Sequence, residues 1–222
     1  MTNFTFGIEL LSDALIGSGE GWGATIDTDV VFDDIGLPYV PAKRIKGCLR
    51  ESAVEVAEMF ECSNLGYATT KDIDVIFGKT GQNQSSLLSF SNCNISDYNS
   101  NKQWLVWISR KNPGFLSKEL VLNTFTSLRQ QTSINQDGIA KDKSLRTSRV
   151  LTKGLTFFGT IESHDEMDDR LLSFLVLAAI NLRYIGTSRN RGIGLIRCTF
   201  YDKTVPLNGK YLNLLGNKIT GV

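Results

Sequence analysis

The stretch "LPYVPAKRIKGCLRESAVEVAEMF", residues 37–60, decides how the rest of the chain is read. Pro41 is a good first helical residue, because its missing N–H is not needed there and its fixed φ suits a helix. At about 100° per residue, Ile45, Leu49, Ser52, Val56 and Phe60 share one arc, and Lys43, Lys46 and Arg50 lie on the opposite one. This pattern predicts a helix with its apolar side on a sheet and a basic first turn and a half facing out.

Upstream, "FTFGIELLSDALIG" (4–17) partly alternates and reads as an opening strand, followed by a glycine-rich loop that turns acidic, "SGEGWGATIDTD" (18–29). Downstream, "DVIFG" (74–78) reads as a short strand or turn. A polar Ser/Asn/Gln-rich stretch follows, with a strand candidate at "SLLSFSNCNI" (86–95) and another strand at "QWLVWISR" (103–110). "SKELVLNTFTSLRQQ" (117–131) is ambiguous. Residues 132–154 are polar around a central Asp-Gly, the pattern of a long hairpin or projecting arm. "LTFFGTIES" (155–163) is a strand. Residues 165–186 form a second helix, acid-rich at its start, where the helix dipole favours acids. "GLIRCTFYD" (194–202) closes as a strand. The order predicts an α+β protein with a ferredoxin-like (RRM-like) βαββαβ core. We read residues 1–222 as a single domain with insertions at about 62–104 and 127–150 and no internal repeat at solenoid period.

Composition is that of an ordinary soluble globular chain, 41% hydrophobic and 21% charged, with a net charge of +1. The average conceals segregation. Lys43, Arg44, Lys46 and Arg50 occur in one stretch without an acid, and Arg183, Arg189, Arg191 and Arg197 in another. Acids collect at Asp27, Asp29, Asp33 and Asp34 and again in residues 162–169. A neutral chain arranged this way can present a basic face. The four cysteines are far apart and form no CxxC pair, and His164 is the single histidine, so neither a zinc site nor a disulfide framework is signalled. No signal peptide is visible, and the apolar run near 171–180 is too short to span a bilayer. The expectation is a reduced, cytoplasmic protein without a membrane partner.

Two nucleotide motifs fail. "FGKTG" (77–81) holds a Gly-Lys-Thr, but a P-loop needs glycine where Ile73 stands. "GEGWGA" (19–24) fits GxGxxA, but a Rossmann turn must open a helix, and the β-branched, acidic residues that follow do not. The basic helix start is the stronger candidate, since a helix N-terminus offers unpaired N–H groups and partial positive charge to a phosphate. "GTSRNRGIGLIRC" (186–198) adds three glycines, which let backbone approach a ligand closely, and Arg189 and Arg191, which can clamp phosphates or stack on bases. In a ferredoxin-like core the loop before the last strand can lie near the loop after the first, which would bring these features to one edge.

These stretches resemble the CRISPR RAMP superfamily. "LPYVPAKRIKGCLRESA" resembles its LPYIPGSSLKGxLR segment, "GTSRNRGIGLIRC" its RGxGxxR-like loop, and "IFGKTGQNQSSLLSFSNC" (76–93) its FG…GxLxFSDA stretch. "INQDGIAKDKSLRTSRVLTKGLTFFGTIE" (134–162) resembles a stretch of the backbone subunits of type III effector complexes. The resemblance implies a subunit that stacks with further copies or paralogues of itself, and with other effector subunits, along a CRISPR RNA, and whose thumb-like hairpin kinks the guide–target duplex. It implies RNA contacts from Lys43, Arg44, Lys46, Arg50, Arg146, Arg189, Arg191, Gly192 and Gly194. The family's acidic GxIDxPV loop, whose aspartate cuts target RNA, resembles "GATIDTDVV" (23–31) and puts Asp27 in the aspartate's place, with Mg2+ or another divalent metal at Asp27. Asp29 replaces the usual proline, giving either a second catalytic, metal-holding acid or a reshaped, inactive loop. "PAKR" stands for the common PGSS, Arg149 for a common Glu and Asn92 for a common Asp. Rival readings are a non-catalytic structural subunit and a guide-processing nuclease, which would need His164 although acids surround it. A small-molecule enzyme is a further rival, but it lacks a nucleophile–base pair or a ligand cluster.

Overall fold

The computed structural model describes residues 2–19, 21, 25–79 and 86–220. Parts of the two rejected nucleotide motifs, and residues 80–85 of the Ser/Asn-rich insertion, lie outside these. In chain order the elements are β1 (Thr2–Leu10), β2 (Tyr39–Val40), α1 (Ala42–Cys62), α2 (Thr70–Phe77), β3 (Leu88–Phe90), β4 (Cys93–Ile95), α3 (Tyr98–Lys111), α4 (Lys118–Asn123), β5 (Thr126–Gln131), β6 (Arg146–Leu151), β7 (Thr156–Ser163), α5 (Asp169–Asn181), β8 (Ile196–Asp202), β9 (Val205–Pro206) and α6 (Asn208–Thr220). A single 3-10 turn, Arg189–Arg191, precedes β8.

The main sheet is antiparallel, ordered β2-β4-β7-β1-β8-β9, with β3 also pairing β7. Its centre, β4-β7-β1-β8, is the strand order of a ferredoxin-like core, with α1 and α5 as the two crossover helices. β3 and β4 meet β7 end to end, at Leu88–Ser163 and Ile95–Phe157, so one predicted strand is broken in two by residues 91–92. β1 lies between β7 and β8, and Phe6 sits in register with Gly159 and with Phe200. Alternation along β1, β7 and β8 sends Phe6, Ile8, Phe157, Ile161 and Phe200 inward against Leu49, Phe174 and Leu175 of the helices. The arc read in the sequence is the buried one: Ile45, Leu49, Ser52, Val56 and Phe60 all lie inside. Pro41 is the cap of α1 and not its first residue.

Two sequence readings are corrected, and one helix is added. "DVIFG" belongs to helix α2, opened by a capping box in which the Asp72 carboxylate accepts the Thr69 backbone N–H at 2.8 Å. "QWLVWISR" lies in helix α3, where Trp104, Trp107 and Lys111 recur at helical spacing. α6 was not anticipated; Asn208 ties its start to β8 through Phe200 N–H and the Cys198 carbonyl, and Tyr211 donates to Asp169 at 2.7 Å. β5 and β6 form the expected arm as a separate two-stranded sheet, paired from Thr126–Leu151 to Gln131–Arg146. Among the described residues no helix is long and apolar enough to cross a membrane.

Asp72 also accepts both terminal guanidinium nitrogens of Arg170, at 2.9 and 2.8 Å, which pins α5 to α2. The Arg170 hydrogen bond, opposed by burial and helped by Thr69, holds the Asp72 carboxyl below the ordinary carboxylate range. A carboxyl lowered in the folded state adds stability above its unfolded value, and that stability is lost as pH falls through the folded value. Urea midpoints measured downward from about pH 5 should therefore fall, and Asp72→Asn should flatten part of that slope. Parallel curves for the two proteins would remove Asp72 from the acid response.

Candidate functional site

The segment after β1 is the hub of the site. Its Leu15 accepts Thr187 N–H at 3.0 Å, joining it to the glycine-rich loop before β8. Arg44, in the first turn of α1, donates to the Gly17 carbonyl at 3.1 Å. Ala14 and Leu151 exchange backbone hydrogen bonds at 2.9 and 2.8 Å, joining the hub to the arm. The helix start, glycine loop and arm root therefore meet on one segment, as expected of loops that flank the first and last strands of this core.

Each glycine of the 186–198 loop has a different reason. A Cβ at Gly186 or Gly194 would collide with the backbone carbonyl of Leu15 or Ile185, and both have φ near +86° (87° and 85°). Gly194 N–H is already given to the Asp13 carbonyl at 2.7 Å. Gly194 thus serves close packing inside the chain, and its N–H is not offered to a ligand. Gly192, at φ 76°, has open space where a Cβ would stand. Arg189 lies 3.6 Å from Glu51 of α1. Arg191 donates to Gln131 of the arm at 2.8 Å, and Arg129 reaches the Arg191 carbonyl at 3.4 Å.

At α1, the Ala42 N–H is taken by the Asn92 side chain at 2.9 Å, from the break between β3 and β4. Lys46 donates to Ser86 at 3.0 Å, and Arg50 pairs with Asp74 at 3.2 Å. Lys43 is exposed and makes no ion pair among the described residues. The acid-free clusters of the sequence are partly neutralised in space by Glu51, Asp74 and Glu9, the last 3.1 Å from Arg197 on the neighbouring strand. Linear charge runs hide such pairing, because the partners come from other elements.

Residues 26–30 run along β6. Asp27 N–H donates to the Thr147 carbonyl at 2.8 Å, and Arg149 N–H to the Thr28 carbonyl at 3.0 Å. The two acids then part in role. Asp27 is half-exposed; its carboxylate accepts Thr147 N–H at 2.8 Å and Arg146 at 3.3 Å. Asp29 is buried, accepts Val30 N–H at 2.8 Å, and forms an ion pair with Arg149 at 3.1 Å, the side chains only 5% and 8% exposed. Asp29 and Arg149, two departures from the resembled family pattern, thus meet in one ion pair. Burial leaves Asp29 no access to a substrate, which corrects its candidacy as a second catalytic, metal-holding acid. No group of three or more His, Cys, Asp or Glu side chains among the described residues could hold a metal. Among the described residues a divalent ion at Asp27 would meet one carboxylate, already bonded by a guanidinium and an N–H, so these residues do not fit a resident metal. His164 hydrogen-bonds Ser89 of β3 and makes no bond to Asp27.

A family model described as the RAMP superfamily matches residues 7–197. This chain belongs to the RAMP superfamily. No curated protein matches it by sequence. Among solved structures, this RAMP chain is similar to a chain in the cryo-EM structure of the type III-B Cmr-beta bound to cognate target RNA. The TM-score is 0.67 at 13% identity, covering 92% of this chain and 99% of that one. The apo state of type III-B Cmr-beta gives a TM-score of 0.65 at 13% identity with the same coverage. Sequence reasoning missed Arg129, Gln131 and Glu51, whose polar side chains carry no signal until the arm and α1 are placed against the loop.

Two pairs of variants check these roles. Asp29→Ala strands a buried arginine and should cost roughly 3–5 kcal/mol in urea unfolding; Asp27→Ala removes an exposed pair and should cost about 0–1 kcal/mol. Equal losses would contradict the assignment. Gly192→Ala should cost roughly 1–2 kcal/mol for a left-handed alanine, and Gly194→Ala distinctly more, because its Cβ meets a carbonyl oxygen; matching values would make backbone strain the only factor.

Proposed function

We propose that this RAMP protein is a backbone subunit of a type III CRISPR effector complex, which binds guide RNA and cuts target RNA at Asp27. The observation that carries the reading is the convergence of the α1 start, the Arg189–Gly192 loop and the arm root on one segment that also presents Asp27. The similar Cmr-beta chain comes from an assembly bound to target RNA, which supports RNA and other effector subunits as partners. Guide phosphates would meet Lys43, Lys46, Arg189 and Arg191, with Gly192 allowing close backbone approach. Arg44 already holds the hub and acts by positioning. The arm carries exposed Leu128, Ile134, Ile139 and Leu145, an apolar wedge suited to unstacking a duplex.

Unstacking frees one ribose to place its 2′-OH in line with the adjacent phosphorus. The 2′-oxygen attacks phosphorus as its proton passes to the Asp27 carboxylate. The P–O5′ bond breaks, leaving a 2′,3′-cyclic phosphate, and the departing 5′-oxygen takes a proton from water. Arg146 beside Asp27 would stabilise charge on the phosphorane. A non-catalytic structural subunit is the second reading, favoured by the bonds that already occupy both Asp27 oxygens.

The test is to purify the complex natively and sequence its RNA, then measure target cutting by wild type and Asp27→Ala, with divalent metal and in chelator. Repeat-derived tags joined to variable spacers are expected. Cutting should stop in the variant while the guide is retained. Random cellular RNA would reject the guide role, full cutting by Asp27→Ala would leave the structural reading, and activity in chelator would separate the chemistry from a metal.

A further inference from the structure

The helical insertion carries a surface that the site above does not use. Residues 98–118 contain Lys102, Arg110, Lys111 and Lys118 and no acid, interleaved with Tyr98, Trp104, Trp107 and Phe115. α3 buries none of its residues. Trp104, Trp107 and Phe115 are 60%, 52% and 70% exposed. Trp104 and Trp107 are one helical turn apart on one side of α3, and Lys111 Nζ lies 4.3 Å from the Trp107 ring centre. Trp104 forms a wall of an open cavity of about 480 Å³, shared with Leu37, Leu105, Leu116 and Phe125, and Asn101 adds an amide at its margin.

The helix that bears these rings is firmly seated at its start. Asp33 accepts Tyr98 Oη at 2.9 Å and Lys102 Nζ at 3.4 Å, besides the N–H groups of Ile35, Gly36 and Leu37. Lys102 is thereby neutralised. Arg110, Lys111 and Lys118 make no ion pair among the described residues. Glu119 is the adjoining acid on α4.

Exposed aromatic area of this size marks a contact surface. Its charge says which kind. Lysine is depleted at protein interfaces, whereas aromatic rings set among cations are what unpaired nucleotides bind, base on ring and phosphate on cation. We propose that the α3–α4 insertion is a second RNA-contact surface, which takes unpaired nucleotides by stacking bases on Trp104, Trp107 and Phe115 while Arg110, Lys111 and Lys118 meet phosphates. This rests on the RNA-binding reading of the chain. Phe125, in the cavity wall, immediately precedes β5, and Asp27 is bonded to Thr147, which pairs with Gln130 of the same strand. Phe125, which shares the cavity wall with Trp104, thus lies about 17 Å along β5 from the residue paired with Thr147, a span that one strand running out of the duplex could cover.

The test is fluorescence anisotropy of a labelled oligouridine titrated with the full-length protein, in four forms: wild type, Trp104→Ala/Trp107→Ala, Trp104→Phe/Trp107→Phe and Arg189→Ala/Arg191→Ala. The alanine pair should bind about tenfold more weakly, since stacking contributes strongly per base. The phenylalanine pair should bind as wild type, because it keeps the rings and separates stacking from folding. If the alanine pair binds normally while the arginine pair is weakened, the platform is overturned and the guide-binding reading stands. Normal RNA affinity with an altered oligomeric state in the alanine pair would make the surface a protein contact and also overturn it. If wild type does not bind RNA, both readings fall.

Discussion

The ion pair between Asp29 and Arg149 sets the register on which the site depends. Both side chains are almost wholly enclosed. Taking two charges out of water is costly, and removing one partner strands the other. The pair therefore has few alternatives, and it fixes residues 27–30 against the root of the arm. Thr28 bridges Ser148 beside it, and Asp27 falls where Thr147 and Arg146 can hold it. A shift of the segment by one residue would exchange the buried acid for Thr28 or Val30 and leave Arg149 unpaired in the interior. Presentation of Asp27 at the arm root is thus a consequence of how Asp29 is buried.

The basic residues around the hub are arranged rather than merely abundant. Arg44, Arg189 and Arg191 each reach a carbonyl, a carboxylate or an amide of another element. Such contacts hold long side chains in place at little energetic cost, since exposed pairs are weak. In the proposed function, a phosphate at Arg189 or Arg191 would exchange one partner for a stronger one without first ordering the side chain. Lys43, exposed at the mouth of α1 and without an ion pair among the described residues, is the complementary case of a cation open to solvent.

Much of this architecture was legible in the sequence. The 3.6-residue spacing of Ile45, Leu49, Val56 and Phe60 marked α1, and the alternation in 155–163 marked β7, because each element has one wet and one dry face. The arm was readable from its Asp-Gly turn. The insertion was not: "QWLVWISR" is rich in β-formers, and tertiary context overrides that propensity to make it helix. α2 was missed although Thr69 and Asp72 spell a capping box. At the site, Arg189 and Arg191 could be chosen from residue type, but Asp27 and Asp29 look alike in sequence. What separates them is a guanidinium that lies 120 residues away from Asp29 in the chain.

That distance has a consequence for biogenesis. Asp27 is bonded to residues 119 and 120 positions later, and Leu15 to Thr187. Contacts between such remote residues form late, after the loop-closure entropy between them has been met. While the chain is being synthesised, residues 1–60 can form β1 and the basic helix, but not the cradle around them. The cradle is complete only once residue 187 has emerged. A chain that stops short of residue 187 therefore displays the cations of α1 without the glycine loop and the arm that complete the cradle around them.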